Sequence, residues 1–162
     1  PDPRAIIPLD SFHTSHSLKK ILKKNIFSIS INQRFSDVVE LCADRSETWI
    51  NNEIKQSYLD LHLFGLAHSI EVLFEGKLVG GVYGVAINAA FFAESMFSKV
   101  SNASKVALYY LVERLKMQDF QLLEVQFLTP HLQSLGAEAI SREIYLEKLS
   151  RALKKKSSFV NS

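Results

Sequence analysis

The chain has 162 residues, 47% hydrophobic and 22% charged, with a formal net charge of +2 and a single cysteine. That is enough chain to bury one core unaided, and a lone cysteine without Cys/His ligand spacing excludes a disulfide scaffold and a structural zinc module. The longest uncharged run, residues 78–93, is broken by Gly80, Gly81, Gly84 and Asn88 and is too short to cross a membrane, so a soluble domain of a reducing, cytoplasmic compartment is expected. Residues 1–10 hold three prolines and read as an extended arm. Ser15 caps a short basic helix with Leu18, Ile21 and Leu22 on one side and Lys19, Lys20, Lys23 and Lys24 on the other. Alternation over residues 26–31 predicts a strand. Asn32 caps a second helix that turns Phe35, Val38, Val39 and Cys42 to one face, and a third helix spans about 52–66, ending near Gly65.

The period then changes. Residues 68–74 and 77–87 alternate around a Glu75-Gly76 turn, and residues 89–96 complete an antiparallel meander. Ser101 or Asn102 caps a helix to about residue 118 that faces Val106, Leu108, Leu111, Val112 and Leu115 to the core. Residues 121–127 form a buried strand and residues 141–154 a last amphipathic helix. Three antiparallel strands, a helix, and a strand that must cross over to pair make an α/β (α+β) fold. Its mixed sheet with flanking helices is analogous to N-acetyltransferase domains. The expected organisation is an arm, helix, strand and two helices over residues 1–66, packed on an acetyltransferase-like core over residues 67–162.

Charge is unevenly spread. Residues 1–34 carry six basic side chains against Asp2 and Asp10, and residues 148–156 carry five with no acid. A polyanionic partner suits this asymmetry, and so do two solvated helix faces.

Chemistry is sought in polar residues on apolar strands. Glu124 and Gln126 are two apart, so both project from one face of a strand otherwise built of Leu, Val and Phe. They mark either a site or a solvated sheet face. Glu94 lies in a Phe-rich stretch where strand spacing puts it on a face with Phe92 and Met96. Such an apolar wall with one acid suits a cation beside a hydrophobic group; a strand-end acid paired with Lys99 or Lys105 is the plain reading. The glycines at 80, 81 and 84 lie inside a strand, not before a helix, which rejects a dinucleotide loop. Cys42 reads as inert core, the five histidines make no ligand set, and Trp49 is either core or a stacking surface for a base.

Taken in order, the strings Pro1-Asp2-Pro3-Arg4-Ala5, Thr48-Trp49-Ile50, His68-Ser69-Ile70-Glu71-Val72, Glu94-Ser95-Met96-Phe97-Ser98, Asn102-Ala103-Ser104-Lys105 and Ser134-Leu135-Gly136-Ala137, with the glycine run of residues 78–86, resemble the leucyl/phenylalanyl-tRNA–protein transferases. The resemblance implies transfer of Leu, Phe or, less well, Met from aminoacyl-tRNA to proteins beginning with Arg or Lys, marking them for degradation. It implies no cofactor and no metal, because the aminoacyl ester is already activated, and no membrane; a monomer is expected.

Carried over by resemblance, Gln126 binds the attacking amine and Glu124 orients or polarises it. Glu94 and Ser95 face the cationic acceptor, with Phe91, Met96, Val82, Leu111 and Leu115 lining the amino-acid pocket and Trp49 near the terminal adenosine. Lys19, Lys20, Lys23 and Lys24 are expected to meet tRNA phosphates. Glu124 stands where the family has Asp. The family's small N-terminal domain is expected to be absent, since Pro1-Asp2-Pro3-Arg4 is interior there. The alternatives are a catalytically incomplete relic that binds RNA or N-terminal peptides, and a coenzyme-A-dependent acetyltransferase, against which the missing pyrophosphate loop argues.

Overall fold

The computed structural model describes residues 3–43, 51–126 and 128–161. Its strands are β1 Arg4–Ile6, β2 Phe27–Ile31, β3 Ala67–Phe74, β4 Lys77–Ile87, β5 Ala90–Ser98, β6 Leu122–Gln126 and β7 Glu138–Ile140. They form one seven-stranded sheet in the order β2-β3-β4-β5-β6-β1-β7. The helices are α1 His16–Lys24, α2 Phe35–Ala43, α3 Asn52–Leu63, α4 Ala103–Met117, α5 Pro130–Ser134 and α6 Arg142–Lys154. Every strand pair is antiparallel except β5–β6, which α4 joins as a crossover and so makes parallel. The mixed sheet with flanking helices is the α/β (α+β) architecture that the element order predicts.

The meander owes its register to a tight turn. Glu75 and Gly76 both adopt left-handed backbone, φ 50° and 79°, which matches the twist of the strands they join. One sheet face is covered by α4, whose Val106, Leu111 and Leu115 pack with Val82, Phe91 and Leu123, and by Leu18 of α1. The helix sits close because residue 80 is glycine; a Cβ there would lie 2.7 Å from the Cβ of Ala103. On the other face α2 lays Phe35, Val38 and Cys42 against Tyr83 and Phe97, while α6 lays Tyr145 and Ala152 against Ile6 and Leu122. Each fully buried leucine contributes about 1.5–3 kcal/mol to holding these layers together. Phe159 closes one end, stacked on Phe91 and His68 with ring centroids 5.3 and 4.6 Å away.

The structure departs from the sequence reading in particular places. The opening segment is more than an extended arm: β1 is inserted between β6 and β7, so strands from both sides of residue 66 share the sheet. The third helix stops at Leu63, because Gly65 turns left-handed at φ 80°. The last meander strand spans Ala90–Ser98 rather than residues 89–96. Ser15 caps α1 as expected, accepting from the Leu18 amide at 3.2 Å. Asn32 does something else: its Oδ1 accepts from the Ser69 amide at 2.9 Å and ties the loop to β3. Asn102 makes no side-chain cap; the Ser98 hydroxyl takes the Ser104 amide instead, at 3.2 Å.

Candidate active site

β5 and β6 pair only as far as Phe92 and Glu124. Beyond that pair β5 continues to Ser98 and β6 stops at Gln126, so the strands part and open a cleft of about 870 Å³. Glu94, Ser95, Met96, Val125 and Gln126 line it where the strands separate, and Lys99 and His131 line it further along.

Two backbone irregularities aim the side chains. Ser95 pairs with Tyr83 and Ala93 with Gly84, which leaves Glu94 as the extra residue of a β-bulge. The bulge shifts the alternation of β5. Phe92 packs in the cluster with Tyr145, whereas Met96 packs against the cluster holding Val82 and Phe91, so the two do not share a face as simple spacing predicts. Opposite the bulge only glycine fits at 84, because a Cβ would collide with the Phe92 carbonyl and the Phe91 ring. At the end of β6, Gln126 itself has φ 68°. A left-handed residue other than glycine costs about 1–2 kcal/mol, and such strain gathers where a side chain must be redirected.

These irregularities bring Gln126 and Glu94 together: Nε2 of Gln126 donates to Oε2 of Glu94 at 2.9 Å. A carboxylate only accepts, so the bond fixes which way the amide points and leaves the Gln126 carbonyl oxygen available as an acceptor. The Tyr58 hydroxyl of α3 lies near the same carboxylate. Burial pushes the Glu94 carboxyl above its ordinary range and the nearby Glu124 charge adds to that, while the polar neighbours Tyr58 and Gln126 oppose it. Tyr58 is pushed up in turn by burial and by Glu94. Beneath them the Tyr83 ring meets Tyr58 edge-on at 5.1 Å, and its buried hydroxyl has no hydrogen-bond partner among the described residues.

Glu124 lies behind this pair and is only 2% exposed. Arg4 of β1 donates from Nη2 to its Oε2 at 2.6 Å, and the Tyr145 hydroxyl of α6 donates to its Oε1. The Arg4 guanidinium also stacks over the Tyr145 ring, 4.5 Å from its centroid. Burial first, then the Glu124 bond and charge, push Tyr145 up to about 12, against the opposing pull of Arg4.

The remaining candidates fall into four groups. Ser95 and Met96 line the cleft with Glu94 and Gln126. Val82, Phe91, Leu111 and Leu115 belong to the closed core under Met96, each 0–1% exposed. Lys19, Lys20, Lys23 and Lys24 are exposed on α1, outside the cleft lining. Trp49 lies outside the described residues. Arg4, Tyr58, Tyr83 and Tyr145 were not singled out for the site from sequence. Tyr58 carried a readable signal, a phenol on the inner side of a polar helix; the Arg4 contact spans 120 residues and has no local signature. Among the described residues no three His, Cys, Asp or Glu side chains come together as a metal-ligand set, and no helix is long and apolar enough to cross a membrane.

Comparison with known proteins adds to this geometry. The family profile described as leucyl/phenylalanyl-tRNA protein transferase matches residues 6–150. A protein of Ruegeria sp. (strain TM1040) with that name is 52% identical over 161 residues, covering 99% of this chain and 77% of its own. One from Prosthecochloris aestuarii is 48% identical over 164 residues, covering 99% and 84%. Among solved structures, L-PGS from Bacillus licheniformis superposes with a TM-score of 0.57 at 12% identity, over 96% of this chain and 66% of that one. An aminoglycoside acetyltransferase from an uncultured soil metagenomic sample gives 0.52 at 13% identity, over 81% and 89%. At such identities these two structures share the fold alone.

Proposed function

We propose an acceptor and a mechanism from one premise: this chain belongs to the leucyl/phenylalanyl-tRNA–protein transferase family, and it is an aminoacyltransferase. The acceptor is the α-amino group of a protein beginning with Arg or Lys, and the donor carries Leu, Phe or, less well, Met. The product, with its new bulky N-terminal residue, is marked for degradation. The observation that carries this reading is the Gln126–Glu94 hydrogen bond at the point where β5 and β6 part. It presents a neutral acceptor and an acid side by side, next to Met96 and Val125.

A free α-amine has a pKa of roughly 7.7–8.0, so about a tenth is neutral near pH 7. The Gln126 carbonyl oxygen accepts an N–H of that amine and turns its lone pair toward the ester. The nitrogen attacks the ester carbonyl carbon. The C–N bond forms as the bond from that carbon to the ribose oxygen breaks, and tRNA leaves with its terminal hydroxyl restored by the proton the amine gives up. Glu94 favours a cationic acceptor side chain at the cleft wall. Met96 and the apolar cluster beneath it favour an apolar amino acid. Glu124, already holding two donors, works as a positioning residue through β6 and not as the proton acceptor. Positioning supplies most of the rate, since the ester is activated before it arrives. The exposed lysines of α1 meet the tRNA backbone.

The test mixes the purified chain with radiolabelled Leu-tRNA and peptides beginning with Arg, Lys or Ala. Label is expected in acid-stable Arg and Lys peptides, and the salt sensitivity is expected to weaken when Lys19, Lys20, Lys23 and Lys24 are replaced together by Ala. Equal labelling of the Ala peptide would overturn the acceptor assignment, and an unchanged salt slope the role of α1.

A further inference from the structure

The cleft is electrostatically lopsided. Glu94 is the acid among the described residues that line it, and it stands where the strands part. Just past the end of β5 comes Lys99, five residues on from Glu94. Lys99 is exposed and lines the cleft beside His131 of α5. Lys105, one residue from the cleft-lining Ser104, is near enough for its charge to help lower the His131 pKa, after burial. Neither lysine has a carboxylate partner among the described residues, whereas Lys55 and Lys116 pair with Glu40 and Glu113. Ser104 and Thr129 supply hydroxyls along the same stretch, whereas the Ser98 hydroxyl already donates to the Val100 carbonyl.

We propose that this far end of the cleft, at Lys99, Lys105 and His131, binds the phosphodiesters next to the aminoacylated terminal nucleotide of the donor, a reading that rests on the aminoacyl-tRNA function above. The polarity of the cleft selects this occupant over an acidic stretch of the acceptor protein. A polyanion ending in a neutral ester enters from the cationic end and stops short of Glu94, which repels phosphate. A cationic acceptor approaches the acid from the other side. The two reactants therefore meet at Gln126 from opposite directions, each drawn by the charge it lacks. The α1 lysines hold the body of the nucleic acid, whereas this rim holds its last linkages. It fixes register and carries no base sequence, as phosphate contacts do.

The test uses the full chain and two minimal donors: phenylalanyl-adenosine, which has no phosphodiester, and the phenylalanyl ester of cytidylyl-(3′,5′)-adenosine, which has one. The quantity read is the ratio of their kcat/KM values within one protein, so a general loss from folding cancels. The wild-type ratio is expected to favour the phosphodiester donor about tenfold, as a charge-assisted contact provides. It is expected to fall toward one in Lys99→Ala/Lys105→Ala and to be retained in Lys99→Arg/Lys105→Arg. A ratio near one in the wild type overturns the proposal, and so does a ratio that the Ala variant leaves unchanged. A rise in KM for an acceptor with acidic residues behind its N-terminal Arg, at an unchanged donor ratio, assigns the rim to the acceptor and also overturns it. Transfer from neither donor nor aminoacyl-tRNA overturns the function on which the proposal rests.

Discussion

The Arg4 guanidinium and the Glu124 carboxylate form an ion pair at 2.6 Å between the first and sixth strands, with the acid side chain 3% exposed and the Arg side chain 26%. Removing one partner of such a pair leaves a buried charge behind. Arg4→Ala is expected to destabilise the fold by about 3 kcal/mol, the low end for a broken buried pair. Tyr145→Phe removes the bond donated to Glu124 and the long one accepted from Arg4 at 3.4 Å, and is expected to cost about 1–2 kcal/mol. Urea unfolding midpoints check both. A loss in Arg4→Ala no larger than in Tyr145→Phe would mean that the pair does not anchor β6.

Gln126→Ala removes the acceptor without disturbing the core, since the side chain is only half buried. Transfer is expected to fall about 10²–10⁴-fold in kcat, the range for a positioned acid–base partner. The unfolding midpoint is expected to stay near wild type. Single-turnover transfer from Leu-tRNA measures the first, and a rate within threefold of wild type would move the amine contact to another residue.

A buried histidine and a half-buried glutamate give stability opposite dependences on pH. His68, stacked on Phe159, is lowered to about 4, by burial first and by nearby cationic groups. Its unfolded form binds a proton at higher pH than its folded form does. The stability it contributes is therefore present above about pH 6.5 and is lost as pH falls toward 4. Glu94 is raised. Its contribution is present below the ordinary carboxyl range and is lost as pH rises through the folded value. Denaturation from pH 4 to 7 is expected to show a flatter profile in His68→Phe and, in Glu94→Gln, a steeper rise with pH. Parallel profiles in the three proteins would remove both assignments.

How much of this was legible depends on the range of the interaction. The β3–β4–β5 meander and α4 were readable because alternation, the Glu75-Gly76 turn and helical spacing are all local. β1 was not, because prolines at residues 1 and 3 argue against a strand and its partners Gln126 and Ala139 lie far along the chain. α5 had a signal in Thr129-Pro130, a capping residue before a first-turn proline, since Thr129 does accept from the Leu132 amide. At the site, spacing put Glu124 and Gln126 on one face but could not show the left-handed backbone at Gln126, nor that Arg4 and Tyr145 hold Glu124 while Gln126 meets Glu94. Nor could it show the bulge at Glu94, because a bulge is a property of two strands and not of one. The burial of Val82, Phe91, Leu111 and Leu115 beneath Met96 likewise depends on how α4 seats on the sheet.

β1 sits between β6 and β7 although 120 residues separate Arg4 from Glu124. During synthesis β1 must wait, unpaired by β6 and β7, while nearly all of the sheet it will join is still unmade. At 5–20 residues per second that interval is on the order of ten seconds. For that time Arg4 has no counter-ion, because the acid that will hold it is not yet made. The seating of β6 is therefore a late event of synthesis, complete only when a strand made 120 residues earlier has been recruited to it.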